Sequence, residues 1–402
     1  MLFLVENISV PSDMRVWPEC LAITEAGFEV AVICPEGRGR DRGRFEVRDG
    51  IHIHRFPMPY AKGGPLSYLW EYAHAFWHTW RIGARISRPR SFAVVHAANP
   101  PDFLLAAVWP LKWRGTRFIF DQHDLVPELY LSRFGGKMGV LFWISRLFER
   151  LSFHLADVVI APNDSYRDTA LRRGAKAADD VFVVRNGPDT SLFRPVEPDT
   201  ALKRGKRYLI VYVGMMGAQD GLDHAVRALA VLRRTRDDWH ALFVGDGDAA
   251  ADTRRLAHDL GLDDLVEFAG VLAQPDVVRV LSAGDVCLSP EPKSPLNDLS
   301  TFIKIAEYMA VERPLVAYDL RESRVTAGPA AAYAPPNDID GFARCIDELL
   351  DDPERRAEMG RAGRARVLSA LSWERSKSAL LAAYERALGT LPPSRGDVAN
   401  AP

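Results

Sequence analysis

The sequence predicts an α/β protein built from two doubly wound units in tandem, and three observations carry that expectation. Short apolar runs such as Leu2 to Val5, Val30 to Cys34 and Val158 to Ala161 alternate with helical patterns. That order gives βαβ units and a parallel sheet covered on both faces. The alternation lapses over Gly187 to Lys206, which is rich in proline, aspartate, threonine and charge, and restarts at Tyr208-Leu209-Ile210-Val211-Tyr212-Val213. A domain boundary has this composition. Finally, 402 residues are too many for one ordinary core, so two domains are expected.

In the first half, Leu2 to Val5 reads as a strand, Ser9 to Asp13 as a polar loop, and Met14 to Ala26 as a helix ended by Gly27. Val30 to Cys34 is the next strand, stopped by Pro35. Ile51 to Phe56, a long helix from about Leu66 to Ile86 and the strand Phe92 to His96 follow. Phe118 to Asp121 then enters the polar loop Gln122-His123-Asp124, followed by a helix from about Lys137 to Leu155 and the strand Val158 to Ala161.

The second half repeats this logic. After Tyr208 to Val213 come a helix over Leu222 to Arg233, a strand over Ala241 to Val244 and a helix over Ala250 to Leu260. The strand Val266 to Phe268 and the helix Pro275 to Ser282 lead into Asp285 to Asp319. There Val286-Cys287-Leu288 ends in a loop holding Pro290, Pro292, Pro295 and Asn297, and residue types that cap helices predict a helix start near Asp298 to Thr301. Phe302, Ile305, Ala306 and Met309 share an apolar face of that helix, while Lys304 and Glu307 share its polar side. Pro314 opens the strand Leu315 to Ala317. A short strand near Ala331 and helices over about Ile339 to Leu350, Pro353 to Leu368 and Trp373 to Leu388 complete the chain. The expected domains are 1–190 and 207–370, joined by a linker over 191–206, then a helix over 371–390 and a disordered tail over 391–402.

Composition narrows the function. Apolar residues make up 48% and charged residues 26%, an ordinary globular balance, and the net charge of −2 gives no argument for nucleic acid. Cys20, Cys34, Cys287 and Cys345 lack zinc or redox spacing, so reduced thiols in a cytoplasmic protein are expected. The opening MLFLVENIS lacks a basic n-region and reads as a strand, not a signal peptide. No apolar run is long enough to span a membrane; Phe103 to Trp113 is broken by Pro110 and Lys112. P-loop, HExxH and GxSxG motifs are absent, and Gly245-Asp246-Gly247 lacks the third glycine of a dinucleotide fingerprint. That glycine pair suits a tight turn or a backbone approach to a nucleotide equally well.

Ligands of open α/β sheets bind beyond the carboxyl ends of the strands. Asp13, Arg15, Asn99, His123, Asp124, Gly214, Gly245, Asp246 and the loop Asn297 to Thr301 all follow apolar runs. Two sheets with facing strand ends would enclose a cleft between the domains. A helix starting near Thr301 would offer free N–H groups to a phosphate, Lys304 a point charge, and Glu307 an acceptor for sugar hydroxyls. The plain alternative is an exposed Lys-Glu pair worth a few tenths of a kcal/mol. Aromatic and basic residues mix on Leu69 to Ile86 and on Gly139 to Phe153, which suits either packing on the sheet or a membrane interface.

Several segments in order resemble the family 4 glycosyltransferases: DMRVWPECLAITEAGFEVAVICP, FDQHDLVPE, ADVVIAPNDSYRD, VVRNGPDTSLFRP, VGDGD, AEYMA, and the run from PPNDID to GRARV. The resemblance covers nearly all of the chain. It implies a GT-B fold, that is, two Rossmann-like doubly wound domains facing across a cleft, with the final helix crossing back to the first. It also implies a retaining transferase using a nucleoside-diphosphate sugar of UDP or GDP type, with no cofactor and no metal. By the same resemblance His123, Lys304 and Asp298 are the candidate catalytic residues. Gly214, Gly245, Asp246, Asn297, Ser300, Thr301 and Glu307 are on the donor side, and Asp13, Arg15 and Asn99 on the acceptor side. The partners it implies are the nucleotide sugar and a glycan or polyprenyl-linked acceptor. With the aromatic-basic helices, it suggests cytoplasmic, peripheral attachment to the inner face of the membrane.

Two departures stand out. The first glutamate of the family's E-x7-E motif falls on Leu299, with Asp298 or Asn297 as its substitute in an N-D-x-S-T loop. In VGMMGAQDG, Met215 replaces the phosphate-binding arginine and Gln219 or Asp220 the lysine, so Lys304 is expected to carry the phosphate charge, with Arg15 or Arg324 as the second cation. An epimerase of the same fold and a non-catalytic nucleotide-sugar-binding protein are the alternative functions.

Overall fold

The computed structural model describes residues 1–37, 39–59, 65–88, 91–133 and 136–389; the tail expected over 391–402 lies outside them. The chain divides into two compact units. One holds Met1–Leu131, Gly136–Arg185 and Ser376–Pro402, the other Ser132–Gly135 and Asn186–Arg375.

The first unit runs β1 (Leu2–Leu4), α1 (Val16–Glu25), β2 (Ala31–Pro35), β3 (Phe45–Arg48), β4 (Ile51–Phe56), α2 (Pro65–Ile86), β5 (Val94–Ala98), α3 (Leu105–Lys112), β6 (Arg117–Asp121), α4 (Val126–Arg133), α5 (Val140–Leu155), β7 (Val158–Ala161), α6 (Asp164–Arg173) and β8 (Val181–Val183). Its sheet has the order β3-β4-β2-β1-β5-β6-β7-β8. Every pairing is parallel except β3 with β4. Several of these elements, α4 among them, escaped the sequence reading, three of them for local reasons. The edge strand β3 buries little, α3 carries Pro110 inside a helix, and β8 is short.

The second unit runs β9 (Tyr208–Val213), α7 (Leu222–Leu232), β10 (Trp239–Val244), α8 (Ala250–Asp259), β11 (Val266–Gly270), α9 (Gln274–Ala283), β12 (Val286–Ser289), α10 (Ile303–Ala310), β13 (Leu315–Tyr318), α11 (Arg321–Ala327), β14 (Ala331–Ala334), α12 (Ile339–Asp351) and α13 (Pro353–Arg366). Its strands, all parallel, take the order β11-β10-β9-β12-β13-β14. Alternate residues of β9 enter opposite cores. Ile210 and Tyr212 pack with Leu229, Trp239 and Phe342, and Leu209 and Val211 with Leu281, Ile305 and Met309, as a strand buried on both faces requires. The last helix, α14 (Trp373–Leu388), starts just before the boundary at Ser376.

One expected boundary is corrected. Residues 295–299 form a turn, and α10 starts at Ile303, not between Asp298 and Thr301. Lys304 is buried as well as Ile305, Ala306 and Met309, so the helix lacks the open polar face that spacing alone suggested.

Candidate functional site

A doubly wound sheet opens a crevice where the strand order reverses, at the carboxyl ends of the two flanking strands. In the second unit the reversal falls between β9 and β12. Gly214 follows β9, and Pro290 and Glu291 follow β12. Lys304, in the first turn of α10, donates to Glu291 Oε1 at 2.5 Å and to the Tyr212 hydroxyl at 2.9 Å, with Asp220 Oδ1 at 3.7 Å. Glu291 Oε2 accepts from Ser289 Oγ at 2.5 Å. Tyr308 ties the two strand ends together, accepting from Val213 N at 2.9 Å and lying 3.1 Å from Leu288 O.

Burial works against the Lys304 charge, but Glu291, Tyr212 and Asp220 outweigh it and hold the ammonium above its ordinary pKa. Burial also pushes the Asp220 carboxyl up, against the pull of Lys304. Two carboxylates around one ammonium leave no surplus positive charge. Lys304 is thus not an open phosphate-binding cation, as the spacing suggested; its first task is to neutralise Glu291. Glu291 itself went unnoticed because its flanking prolines read only as strand breakers, although its strand-end position was the available signal. Glu307, one turn further along α10, is half-buried, and burial pushes its carboxyl up to about 7, with Lys304 opposing.

The loop before α10 is largely committed to its own structure. Asp298 Oδ1 accepts from Arg321 N at 3.1 Å, anchoring the start of α11, while no side chain caps α10. Asn297 Nδ2 donates to the carbonyls of Gln219 and Pro292, each at 2.9 Å, and Ser300 Oγ to that of Leu296 at 2.9 Å. Thr301 is half-buried beside it. A Cβ on Gly245 would meet Gly214 O at 1.9 Å, and Met216 N donates to Asp246 O at 3.0 Å. Gly214 and Gly245 therefore let two strand-end loops pass closely, with φ of 154° and 135°. Asp246 Oδ1 closes the turn on Gly247 N at 2.9 Å. Arg324, the other candidate cation, pairs with Asp319 on the exposed surface of α11.

In the first unit, the three residues expected on the acceptor side have structural partners instead. Asp13 Oδ1 accepts from the N–H groups of Arg15 and Val16 at 2.8 and 2.9 Å, which starts α1. Buried Arg15 donates Nη2 and Nε to Asp121 at 2.6 and 3.2 Å and Nη1 to Val184 O at 2.9 Å. Asn99 Oδ1 accepts from His123 N and Asp124 N at 2.6 and 3.0 Å, and Nδ2 donates to Asp102 Oδ1 and Asp124 O at 2.7 and 2.8 Å. Asn99 therefore positions the His123 loop.

Asp121, at the end of β6, is the hub that the sequence reading missed. Its Oδ2 lies 2.5 Å from His123 Nε2 and 3.3 Å from His96 Nε2. Glu19 is 3.6 Å from His96 Nε2, and His96 Nδ1 is 2.9 Å from the Tyr384 hydroxyl of α14. Burial pushes the Asp121 carboxyl up, but Arg15 and His123 overcome this and hold it well below the usual range. Burial and the Asp121 charge push the Glu19 carboxyl far up, against the pull of Arg15. An ionised Asp121 can only accept, so His123 donates to it from Nε2. Glu19, His96 and Asp121 each offer an atom within 4.8 Å of the others, a metal-like spacing. The Arg15 guanidinium already fills that role by neutralising Asp121.

A pH dependence follows from the buried acids. Glu6, just past β1 and pushed up to about 8 by burial and then by Glu71, and Glu149, pushed up to about 7 by burial against Arg173, keep their protons longer in the folded chain. Their folded pKa values exceed the unfolded value of about 4.3, so this stability is full below that pH and is lost as pH rises to 7–8. We expect a higher melting temperature at pH 6 than at pH 8, and Glu6→Gln should flatten the slope. An unchanged slope in that variant would remove Glu6 from the account.

Comparison with known proteins meets this geometry. The "Glycosyl transferase 4-like domain" family matches residues 15–187, and "Glycosyl transferases group 1" matches residues 207–352. The chain belongs to the family 4 type of glycosyltransferases. Among relatives, an alpha-D-kanosaminyltransferase of Streptomyces kanamyceticus is 28% identical over 54% of this chain and 57% of its own length. A GDP-mannose-dependent monoacylated alpha-(1-6)-phosphatidylinositol monomannoside mannosyltransferase of Corynebacterium glutamicum is 30% identical over 47% and 52%. This glycosyltransferase chain thus spans about half the length of these curated relatives. Sucrose-phosphate synthase of Thermosynechococcus elongatus shares the fold at 20% identity with a TM-score of 0.77, over 96% of this chain and 98% of that one. Anabaena HepE in complex with UDP-glucose does so at 16% identity with a TM-score of 0.70, over 94% and 98%. The GT-B glycosyltransferase fold expected from the sequence is the one found.

Proposed function

We propose that this chain transfers a sugar from a nucleoside-diphosphate sugar, of UDP or GDP type, to a glycan or lipid-linked acceptor with retention of configuration and without a divalent metal. The observation that carries this reading is the uncapped start of α10 beside the β9–β12 crevice, with Glu307 one turn beyond. Free N–H groups at a helix start stabilise the negative charge that develops on a departing diphosphate. Glu307, whose carboxyl burial raises to about 7, can accept from a sugar hydroxyl and, when protonated, donate to it, and the Corynebacterium relative is named for a GDP-sugar donor. His123 Nδ1, oriented through Asp121, is the group proposed to hold the transferred sugar.

A panel of nucleotide sugars tested by thermal shift identifies the donor, because a ligand at 100 times its Kd adds about 2.7 kcal/mol. Product anomers then report the stereochemistry. Conversion of a donor without acceptor, or binding with no transfer to any acceptor, would overturn the reading. Glu307→Ala should raise the KM for the donor roughly tenfold or more by removing a hydrogen-bonded hydroxyl contact, while the unliganded melting temperature holds or rises. An unchanged KM would remove Glu307 from the donor site. The acceptor and the cytoplasmic, peripheral location belong to this same proposal.

A further inference from the structure

We propose that the outer face of α2, α3 and α5 is a docking surface for an anionic lipid bilayer. The sequence left the aromatic residues of α2 and α5 with two explanations, packing or an interface, and their exposure separates them. Phe142 and Phe153 are buried, whereas Trp70, Trp77 and Trp80 of α2 and Trp143 of α5 are exposed. The helix α3 adds Trp109, and the residue just past its end, Trp113, is 80% exposed. Six of the nine tryptophans in the chain thus lie on one layer of three helices.

That layer is continuous. The helix α3 touches both α2 and α5, and the Phe103 ring meets Tyr72 and Phe76 of α2 and Phe148 of α5 at 5.7, 6.3 and 6.0 Å. Its inner side packs on β2, β4 and β6, so the exposed side chains turn away from the sheet. On α5 the exposed apolar stripe runs through Val140, Ile144, Leu147 and Leu151, one face of a helix at i, i+4, i+7 and i+11. An exposed apolar surface of this kind marks an interaction site.

Charge selects the occupant. Arg81, Arg85, Arg88, Arg114, Lys137 and Arg150 are exposed here. The acids of these three helices are Glu71, half-buried, and Glu149, buried under Arg146 and Arg173. A chain with net charge −2 thus carries a cluster of positive charge on this exposed aromatic face. Tryptophan belongs at the headgroup boundary, and each arginine or lysine near an anionic leaflet adds attraction. A second copy on this face would set like charge against like.

This surface deepens the peripheral-membrane part of the proposed function, and its test needs no sugar or acceptor. The full chain is sedimented with vesicles of phosphatidylcholine alone and of phosphatidylcholine with phosphatidylglycerol. We expect binding to the mixed vesicles, weakening as salt rises, and little to the neutral ones. Trp143→Ser with Leu147→Ser, both exposed, should reduce binding roughly tenfold with an unchanged melting temperature, and Arg114→Glu with Arg150→Glu should reduce it further. Absence of binding to the mixed vesicles, or binding indifferent to both double variants, would overturn the proposal. So would a dimer in solution that the tryptophan–leucine variant dissolves.

Discussion

Lys304→Ala should melt well below the wild-type chain, in the absence of any substrate. The substitution removes the ammonium from Glu291, whose carboxylate is 1% exposed and, among the described residues, keeps Ser289 as its donor. Breaking a buried pair from one side costs about 3–5 kcal/mol, because the surviving charge has neither water nor counter-charge. For a unit of this size that is a fall of roughly 10 °C. Removing both charges should recover most of the loss, so Lys304→Met with Glu291→Leu should melt within a few degrees of wild type, since well-packed apolar replacements of buried pairs are often neutral. Lost turnover in Lys304→Ala cannot by itself assign a role in phosphate binding; melting of the unliganded chain separates stability from chemistry. A single variant that melts like wild type would show that the pair contributes little.

Arg15→Met is expected to be as damaging to the first unit, with an added pH signature. Asp121 is fully buried and is held ionised by Arg15. Without the guanidinium, desolvation prevails and lifts the folded pKa of Asp121 above its unfolded value of about 3.9. The sign of its contribution then reverses. In the wild-type chain a depressed carboxylate contributes stability that is lost only as pH falls through the depressed value. In Arg15→Met the raised carboxyl loses stability as pH rises from about 4 toward neutrality. The melting temperature should drop by the equivalent of about 3–5 kcal/mol at neutral pH and partly recover on acidification. Arg15→Met with Asp121→Asn should lose the pH dependence and regain part of the stability. Melting curves of both variants between pH 4 and 8 check this, and a flat profile for the single variant would contradict it. The same experiment bears on His123, because Asp121 orients its ring.

Fold class and the polar loops at the strand ends were legible in the chain. Hydrophobic period and the prolines, glycines and asparagines after each strand are local properties, and local properties survive in a one-dimensional pattern. They located β4 and β7 to the residue and marked the loops after β6, β9 and β12. Elements that bury little or break a local rule were lost: the exposed edge β3, and α3 with Pro110 inside it. The cap-like residues Asp298 to Thr301 misplaced the start of α10, because Asp298 caps a neighbouring helix, Arg321–Ala327, that the spacing does not reveal.

The charge state and exposure of each candidate were decided only by tertiary structure. Lys304 reads as a surface cation until Glu291, thirteen residues away, closes on it. Arg15 reads as an acceptor contact until Asp121, 106 residues away, accepts its guanidinium. The tryptophans of α2 and α5 suit either packing or an interface until the fold turns them outward. The reason is common to all three. A side chain's type and spacing are written beside it in the chain, but the groups that desolvate, neutralise or uncover it come from distant segments that meet only when the sheets form.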